Sequence, residues 1–169
     1  AGGLVRAQVG GQLEWSKALP APRQVPALLA WSARVLVVGD LEVLAPGAGA
    51  GAETVLARLP APRSGPVQVL GNGRMLAIPT QTGVVGLVTQ PLPRVATPEV
   101  FGGQPPGVAR VGSDGDLLVA ASTEPQQLAA WRWNGVAFAP AWRERLPAPP
   151  ALDPVVSGEH AAVALADGT

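Results

Sequence analysis

The chain has 169 residues, 47% of them hydrophobic, with 12 acidic and 12 basic side chains and no cysteine. The balanced charge, without a basic stripe, argues against a surface for nucleic acid or anionic membranes. Without cysteine, this sequence has no disulfide, thiolate metal site or cysteine nucleophile. No apolar stretch reaches the roughly 18 residues of a transmembrane helix. The 21 glycines and 19 prolines predict many short elements joined by turns, because proline interrupts helices.

A repeated proline organises the chain. Pro26, Pro66, Pro106 and Pro154 each precede an apolar segment, at spacings of 40, 40 and 48 residues. A first strand is predicted to start at 27, 67, 107 and 155, and a second, more apolar strand at 35, 75, 117 and 161. Because a turn separates the two strands in each copy, the four segments read as one repeated unit.

Third and fourth strands complete the predicted units. Third strands are predicted at 41–45, 83–89 and 127–133, and fourth strands at 54–59, 94–101 and 137–146. These predictions rest on apolar and β-branched residues bounded by glycine, proline, asparagine and aspartate. The segments "GNG" at 71–73 and "SDGD" at 113–116 predict type I′ hairpin turns, since these residues tolerate positive φ.

A period of 40 to 50 residues with four strands per unit is typical of a β-propeller. We therefore predict an all-β fold of four-stranded antiparallel blades, with about four blade equivalents. The predicted units are a half blade at 1–25, whole blades at 26–65, 66–105 and 106–153, and a complementary half blade at 154–169. Two arrangements remain open: a closed four-bladed ring whose terminal halves share one blade, or a part of a larger propeller.

The sequence "LPAP" occurs three times, at 19–22, 59–62 and 146–149. Each copy follows a predicted outer strand, so we interpret it as the stiff link from one blade to the next. Trp15 and Trp142 each lie four residues before the leucine of a copy. We expect both indole rings to pack between neighbouring blades.

Two segments carry a family resemblance. "VGGQLEWSKAL" at 9–19 resembles the repeat of the quinoprotein-like (PQQ-like) propellers, and "PVVSGEHAAVALADGT" at 154–169 resembles the opening of such a repeat. That family includes quinone-dependent dehydrogenases and non-catalytic scaffolds similar to the lipoprotein that assists outer-membrane protein assembly. The chain has no vicinal cysteines and no recognisable calcium-site and catalytic-aspartate set. The resemblance therefore implies the scaffold branch, outside the cytoplasm.

Several motifs raise chemical alternatives. The glycine-rich segment 46–59 is similar to a phosphate-binding loop before a helix, but proline follows too soon, so we interpret it as an inter-strand loop. Asp114 and Asp116 could bind calcium, although a hairpin turn accounts for both. His160 is the only histidine and is interpreted as a surface residue. We predict no catalytic, cofactor-binding or metal-binding residue.

Two further groups of side chains share a predicted strand face. Asp40 and Glu42 could form an acid–base pair, but a solvated strand edge explains them better. Trp131 and Trp133 lie on one face of a strand and Arg132 on the other. These three residues are the candidate interaction surface, with packing between blades as the alternative for the two tryptophans.

The function predicted is a non-catalytic scaffold for protein–protein interaction in a cell-envelope or multi-subunit assembly. Its partners would be other protein subunits, with no nucleic acid and no cofactor, and its location periplasm, cell envelope or secreted. The alternative is a small-ligand-binding or enzymatic propeller that uses the central channel. Leu28, Val67, Val108 and Val155 occupy the predicted inner-strand positions, and their apolar character argues against channel chemistry.

Overall fold

The computed structural model describes residues 3–9, 12–19, 25–31, 34–46, 53–89, 94–96 and 109–169. In these residues the regular structure consists of β-strands and a single turn of 3-10 helix, Gly71–Gly73. The predicted all-β class is confirmed. Nothing helical in the described ranges is long and apolar enough to cross a membrane.

The strands form antiparallel sheets in which sequence neighbours pair. Sheet 1 contains β1 (Gly3–Val9) and β2 (Gln12–Leu19). Sheet 2 contains β3 (Ala27–Trp31), β4 (Arg34–Val38), β5 (Glu42–Pro46) and β6 (Glu53–Arg58). Sheet 3 contains β7 (Gln68–Leu70), β8 (Met75–Thr80), β9 (Gly83–Val88) and β10 (Arg94–Ala96). Sheet 4 contains β11 (Ala109–Asp114), β12 (Leu117–Thr123), β13 (Gln126–Trp133) and β14 (Phe138–Arg145), and sheet 5 contains β15 (Val155–Ser157) and β16 (His160–Ala162).

The prediction of four-stranded antiparallel sheets is confirmed for sheets 2, 3 and 4. The predicted strand at 94–101 is observed as Arg94–Ala96, and residues 97–101 lie outside the described ranges. The chain divides into two compact units, residues 1–59 and residues 60–169. In the first unit, the buried side chains of sheet 2 lie mainly on its central strands, β4 and β5.

In the second unit, sheet 4 is covered on both faces. One face packs against sheet 3 and the opposite face against sheet 5, because successive side chains of a strand point to opposite sides. The cluster with sheet 3 includes Leu118, Ala120, Ala129, Trp131, Leu70, Met75, Val84 and Val88. The cluster on the other face includes Leu117, Val119, Ala121, Leu128, Val156, Ala161 and Leu165. This double covering explains why residues 117–121 of β12 are an unbroken apolar run.

The two described copies of "LPAP" share one pattern of burial. In segment 146–149, Leu146 and Ala148 are buried whereas Pro147 is exposed. Segment 59–62 shows the same alternation of burial. The copy at 19–22 lies outside the described residues except for Leu19, the last residue of β2. The leucine and alanine of the motif therefore anchor the link, while its first proline faces outward.

After each of these two copies, the backbone pairs with the end of the second strand of the next sheet or with the residues just beyond it. Both links form the same two hydrogen bonds. They are Gln81 N–H to Pro62 O (3.0 Å) and Ser64 N–H to Pro79 O (2.9 Å), and Ala166 N–H to Pro149 O and Ala151 N–H to Ala164 O (both 2.8 Å). The repeated sequence thus makes a repeated backbone contact.

The two glycine-containing turns differ from the type I′ prediction. Gly71, Asn72 and Gly73 all have positive φ, as expected, but the loop has four residues because Leu70 pairs with Met75. In the tighter 113–116 turn, only Gly115 has positive φ. A type I′ turn needs positive φ at both central residues, so that prediction is wrong for Gly115 and Asp116.

Gly112 of β11 lies directly against the backbone of Pro154, the residue before β15. A Cβ atom there would overlap the carbonyl oxygen of Pro154 and lie 2.9 Å from its carbonyl carbon. We expect Gly112→Ala to lower the free energy of unfolding by about 1–3 kcal/mol, since the overlap is with backbone. Urea denaturation measures the change. Gly65→Ala is the control, because its Cβ would lie 3.4 Å from Pro79 Cγ, and equal losses in the two variants would contradict the expectation.

The "LPAP" link supplies a second stability test. Leu146→Ala removes a side chain that is 8% exposed and should lower the free energy of unfolding by about 2–5 kcal/mol. Pro147→Ala removes an exposed ring, and its effect should stay within about 1 kcal/mol. Thermal and urea denaturation of both variants would test this difference. A larger loss for Pro147→Ala would refute an anchoring role for the leucine.

Candidate interaction surface

Trp131 and Trp133 are buried between sheets 3 and 4. Their side chains are 1% and 4% exposed and belong to the cluster with Leu70 and Met75. The ring centroids of Trp133 and Phe138 lie 5.3 Å apart at a tilt of 59°, a favourable aromatic geometry. The two indole rings therefore stabilise the stacking of the sheets, and of the three predicted surface residues only Arg132 is exposed.

Arg132 connects β13 to the turn of sheet 5. Its Nη2 donates to both carboxylate oxygens of Glu159, each at 2.6 Å. The side chains are 48% and 70% exposed, so solvent screens the pair and its contribution to stability is about 0–1 kcal/mol. The ion pair thus fixes the position of two charged groups at the surface more than it holds the sheets together.

Three hairpin turns lie next to one another beside this ion pair. Asp114 Oδ2 accepts a 2.7 Å hydrogen bond from the backbone of Gly158, and Gly115 O accepts one from Gly71 at 3.2 Å. These bonds connect the first turn of sheet 4 with the first turns of sheets 5 and 3. We call residues 71–74, 114–117 and 157–160, together with Arg132, the turn rim.

The charged residues of the turn rim are exposed. Asp114, Asp116 and Glu159 supply three carboxylates, and Arg74 and Arg132 supply two guanidinium groups, all on exposed residues. The backbones that carry these charges are tied to three packed sheets, so a complementary polar surface can bind there without a large cost for ordering the backbone.

In the second unit, the other candidate residues, Asp114 and His160, lie beside hairpin turns. Asp114 holds the neighbouring turn through its carboxylate, and His160 is exposed at the start of β16. Within the described ranges, no three side chains of histidine, aspartate or glutamate converge as a metal site would require. The hairpin interpretation of Asp114 and Asp116 accounts for their placement.

In the first unit, Asp40 lies in the turn after β4, and Glu42 begins β5 opposite Arg58. Both acidic residues are half-buried. Most of the glycine-rich loop lies outside the described residues, but Glu53–Arg58 is a strand. The helix that a phosphate-binding loop would need is therefore not formed by that segment.

The first strands of the sheets expose apolar side chains. Leu28 and Val155 are 59% and 71% exposed, and Val69 is 47% exposed. Val67 is half-buried, and Val108 lies outside the described residues. Of the predicted inner-strand positions, those that the structure describes, Leu28, Val67 and Val155, are therefore apolar, as their sequence says.

Our sequence reasoning missed a groove on the ribbon of β13 and β14. Its volume is about 600 Å³, and it is lined by Pro125, Gln126, Gln127, Arg143, Glu144 and Arg145. The signal that could have revealed it is the pair Arg143 and Arg145, two residues apart on a predicted strand. Side chains at that spacing share one face of a strand.

Comparison with known proteins gives fold information only. No family model matches the chain, and no curated protein matches it. It is similar to one chain of a solved S. cerevisiae structure described as a Dbp5 variant bound to Nup159, a Gle1 variant, IP6 and ADP. The TM-score is 0.54 at 11% identity, over 80% of this chain and 34% of that chain. The chain therefore spans about a third of the length of its structural neighbour.

The contrasting burial of neighbouring residues on β13 gives a test. Trp131→Ala should lower the free energy of unfolding by about 3–5 kcal/mol, because it empties a space between two sheets. Arg132→Ala breaks only the exposed ion pair and should cost no more than about 1 kcal/mol. Chemical denaturation followed by circular dichroism checks both values. Similar losses for the two variants would contradict the assigned packing.

Proposed function

We propose that this chain belongs to a β-propeller that acts as a non-catalytic scaffold for protein–protein interaction. Its setting would be a cell-envelope or multi-subunit assembly outside the cytoplasm, as the PQQ-like resemblance implies. The observation that supports this proposal best is sheet 4, a four-stranded antiparallel sheet with neighbours on both faces. Propeller blades have this environment, since each is covered by the blades before and after it.

The links add a second argument for a propeller. The hydrogen bonds of Pro62 and Ser64 are repeated at Pro149 and Ala151. Equivalent connections generate a regular array of sheets, in which each repeat contacts mainly its neighbours. An array of four-stranded sheets that stack face to face curves around an axis in a propeller.

A scaffold role fits the distribution of polar groups. The exposed charges of the second unit include those of the turn rim, whose turns belong to three packed sheets. By contrast, the described first strands expose Leu28, Val69 and Val155. Substrate chemistry in a central channel would require polar groups at such positions, so the apolar side chains favour the scaffold over the enzymatic alternative.

Site-specific crosslinking tests this function. A photo-crosslinking amino acid would replace Asp116 or Glu159 on the turn rim, and Gln81 as the control, in protein expressed in cells of the source organism. Gln81 is also exposed, but it lies in the β8–β9 turn, at the other end of its sheet from the rim. We expect both rim positions to trap the same partner protein and Gln81 to trap none.

Two results would contradict the scaffold proposal. One is the absence of any crosslinked partner at Asp116 and Glu159 when the protein is present at its natural level. The other is quinone-dependent turnover of an alcohol or aldose by the purified chain. Urea denaturation of each labelled variant shows whether it has retained the fold.

A further inference from the structure

We propose that the groove on β13 and β14 binds an extended acidic segment of a partner protein, which adds as a strand alongside β14. The proposal rests on the scaffold function only in taking the ligand to be a protein. It concerns a surface separate from the turn rim, so the two proposals can fail independently.

The cationic part of the groove is formed by two arginines on one strand face. Arg145 pairs with Gln127, and Arg143 pairs with Ala129. Residues two apart on a strand lie about 7 Å apart and point the same way. Neither guanidinium group forms an ion pair with any residue that the structure describes. Both are exposed and can bind carboxylates through their forked N–H donors.

Among the described residues, no strand pairs with the edge of sheet 4 beside these arginines. β14 is the last strand of its sheet, with β13 on one side and no described strand on the other. An edge strand presents unpaired backbone N–H and C=O groups, which an extended peptide can pair with. An added strand would place alternate side chains directly across from Arg143 and Arg145, at the close spacing of cross-strand neighbours.

A bulge limits where such a segment can pair. The register shifts between Ala130 and Trp131, because Trp142 pairs with Ala130 whereas Pro140 pairs with Trp131. Proline lacks a backbone donor, so the regular edge begins after it and includes Trp142–Arg145. Four regular residues with arginine at two alternate positions favour a short segment with acidic residues two apart.

The groove continues into an apolar depression at the bulge. This depression has a volume of about 180 Å³, and its lining includes Arg143, Pro140, Ala141 and Trp142. Since Arg143 lines both cavities, one ligand could contact both. The partner segment should therefore carry an apolar residue next to its acidic pair.

The charge pattern favours an acidic peptide over a polyanion. Glu144 also lines the groove, between the two arginines in sequence, and would repel a continuous phosphate backbone. The chain as a whole has no net charge, whereas nucleic-acid affinity depends on many phosphate contacts. In an added strand, carboxylates two residues apart lie directly across from Arg143 and Arg145 and not directly across from Glu144.

Fluorescence anisotropy with synthetic peptides tests the site. The probe is a labelled peptide of seven residues. Its two aspartates are separated by one threonine, its last residue is leucine, and threonine occupies the other positions. The control peptide has asparagine in place of both aspartates. We expect saturable binding of the acidic peptide only. The double variant Arg143→Gln, Arg145→Gln should weaken it tenfold or more, and the control Arg132→Gln should change it less than twofold.

Backbone pairing has its own readout. Two further acidic peptides would carry N-methyl groups on alternate sets of amides, so that only one set can face β14. Strand addition predicts that one methylated peptide loses binding and the other keeps it. Equal binding by the two would overturn the strand-addition geometry.

Other results would overturn the proposed ligand class. These are equal affinity for the aspartate and asparagine peptides, an equal loss in the Arg132→Gln variant, and binding too weak to detect at millimolar peptide. Binding of an oligothymidylate or of phosphatidylserine vesicles that the Arg143 and Arg145 substitutions abolish would also overturn it. Thermal denaturation of each variant confirms that it is folded, so that lost binding reports on the groove.

Discussion

The structure of the second unit depends on covering two apolar faces of one sheet. Sheet 4 has buried side chains on both sides of β12, including Leu117 on one face and Leu118 on the other. A single sheet cannot shield both faces from water, and the hydrophobic effect drives the apolar surface to be covered. Sheets 3 and 5 provide this cover. The burial of Trp131 against sheet 3 follows from this requirement.

Apolar packing occupies the interior of the second unit, so the charged groups discussed above lie at its turns and on β14. The turn rim holds acidic and basic groups on short hairpins, and the groove presents Arg143 and Arg145 beside the edge of sheet 4. Both surfaces belong to elements whose backbones are fixed by the sheets behind them. Preorganised backbones lose little conformational entropy on binding, which suits the proposed scaffold function.

The strands could be predicted because the repeat and the local patterns agree. The segment after Pro154 is a strand, as expected from the earlier copies, and the apolar run of β12 is buried on both faces. The placement of side chains was harder to predict. Alternation put Trp131 and Trp133 opposite Arg132, but only the position of sheet 3 decides which side is covered. A strand's own sequence does not contain that information.

Two other features were beyond sequence reasoning for physical reasons. The turn at Gly115 and Asp116 has one residue with positive φ, whereas a type I′ turn has two. Turns of either kind accept similar residues, so the sequence does not distinguish them. The groove was not predicted because it needs residues of two strands. Arg143 and Arg145 share one face of β14, but only the pairing of β14 with β13 places Gln127 opposite Arg145.

The "LPAP" link between sheets 4 and 5 has a mechanical consequence. Leu146 and Ala148 are buried with sheet 4, and three residues after Ala148, Ala151 is hydrogen-bonded to Ala164, just beyond β16. The link between the two repeats is therefore short and held at both ends, so local unfolding of one repeat disturbs the other. Repeats that are coupled in this way melt as a cooperative block. A destabilising change in one repeat would then also destabilise its neighbour. The exposed surface of the two repeats would be lost in one cooperative step and not gradually.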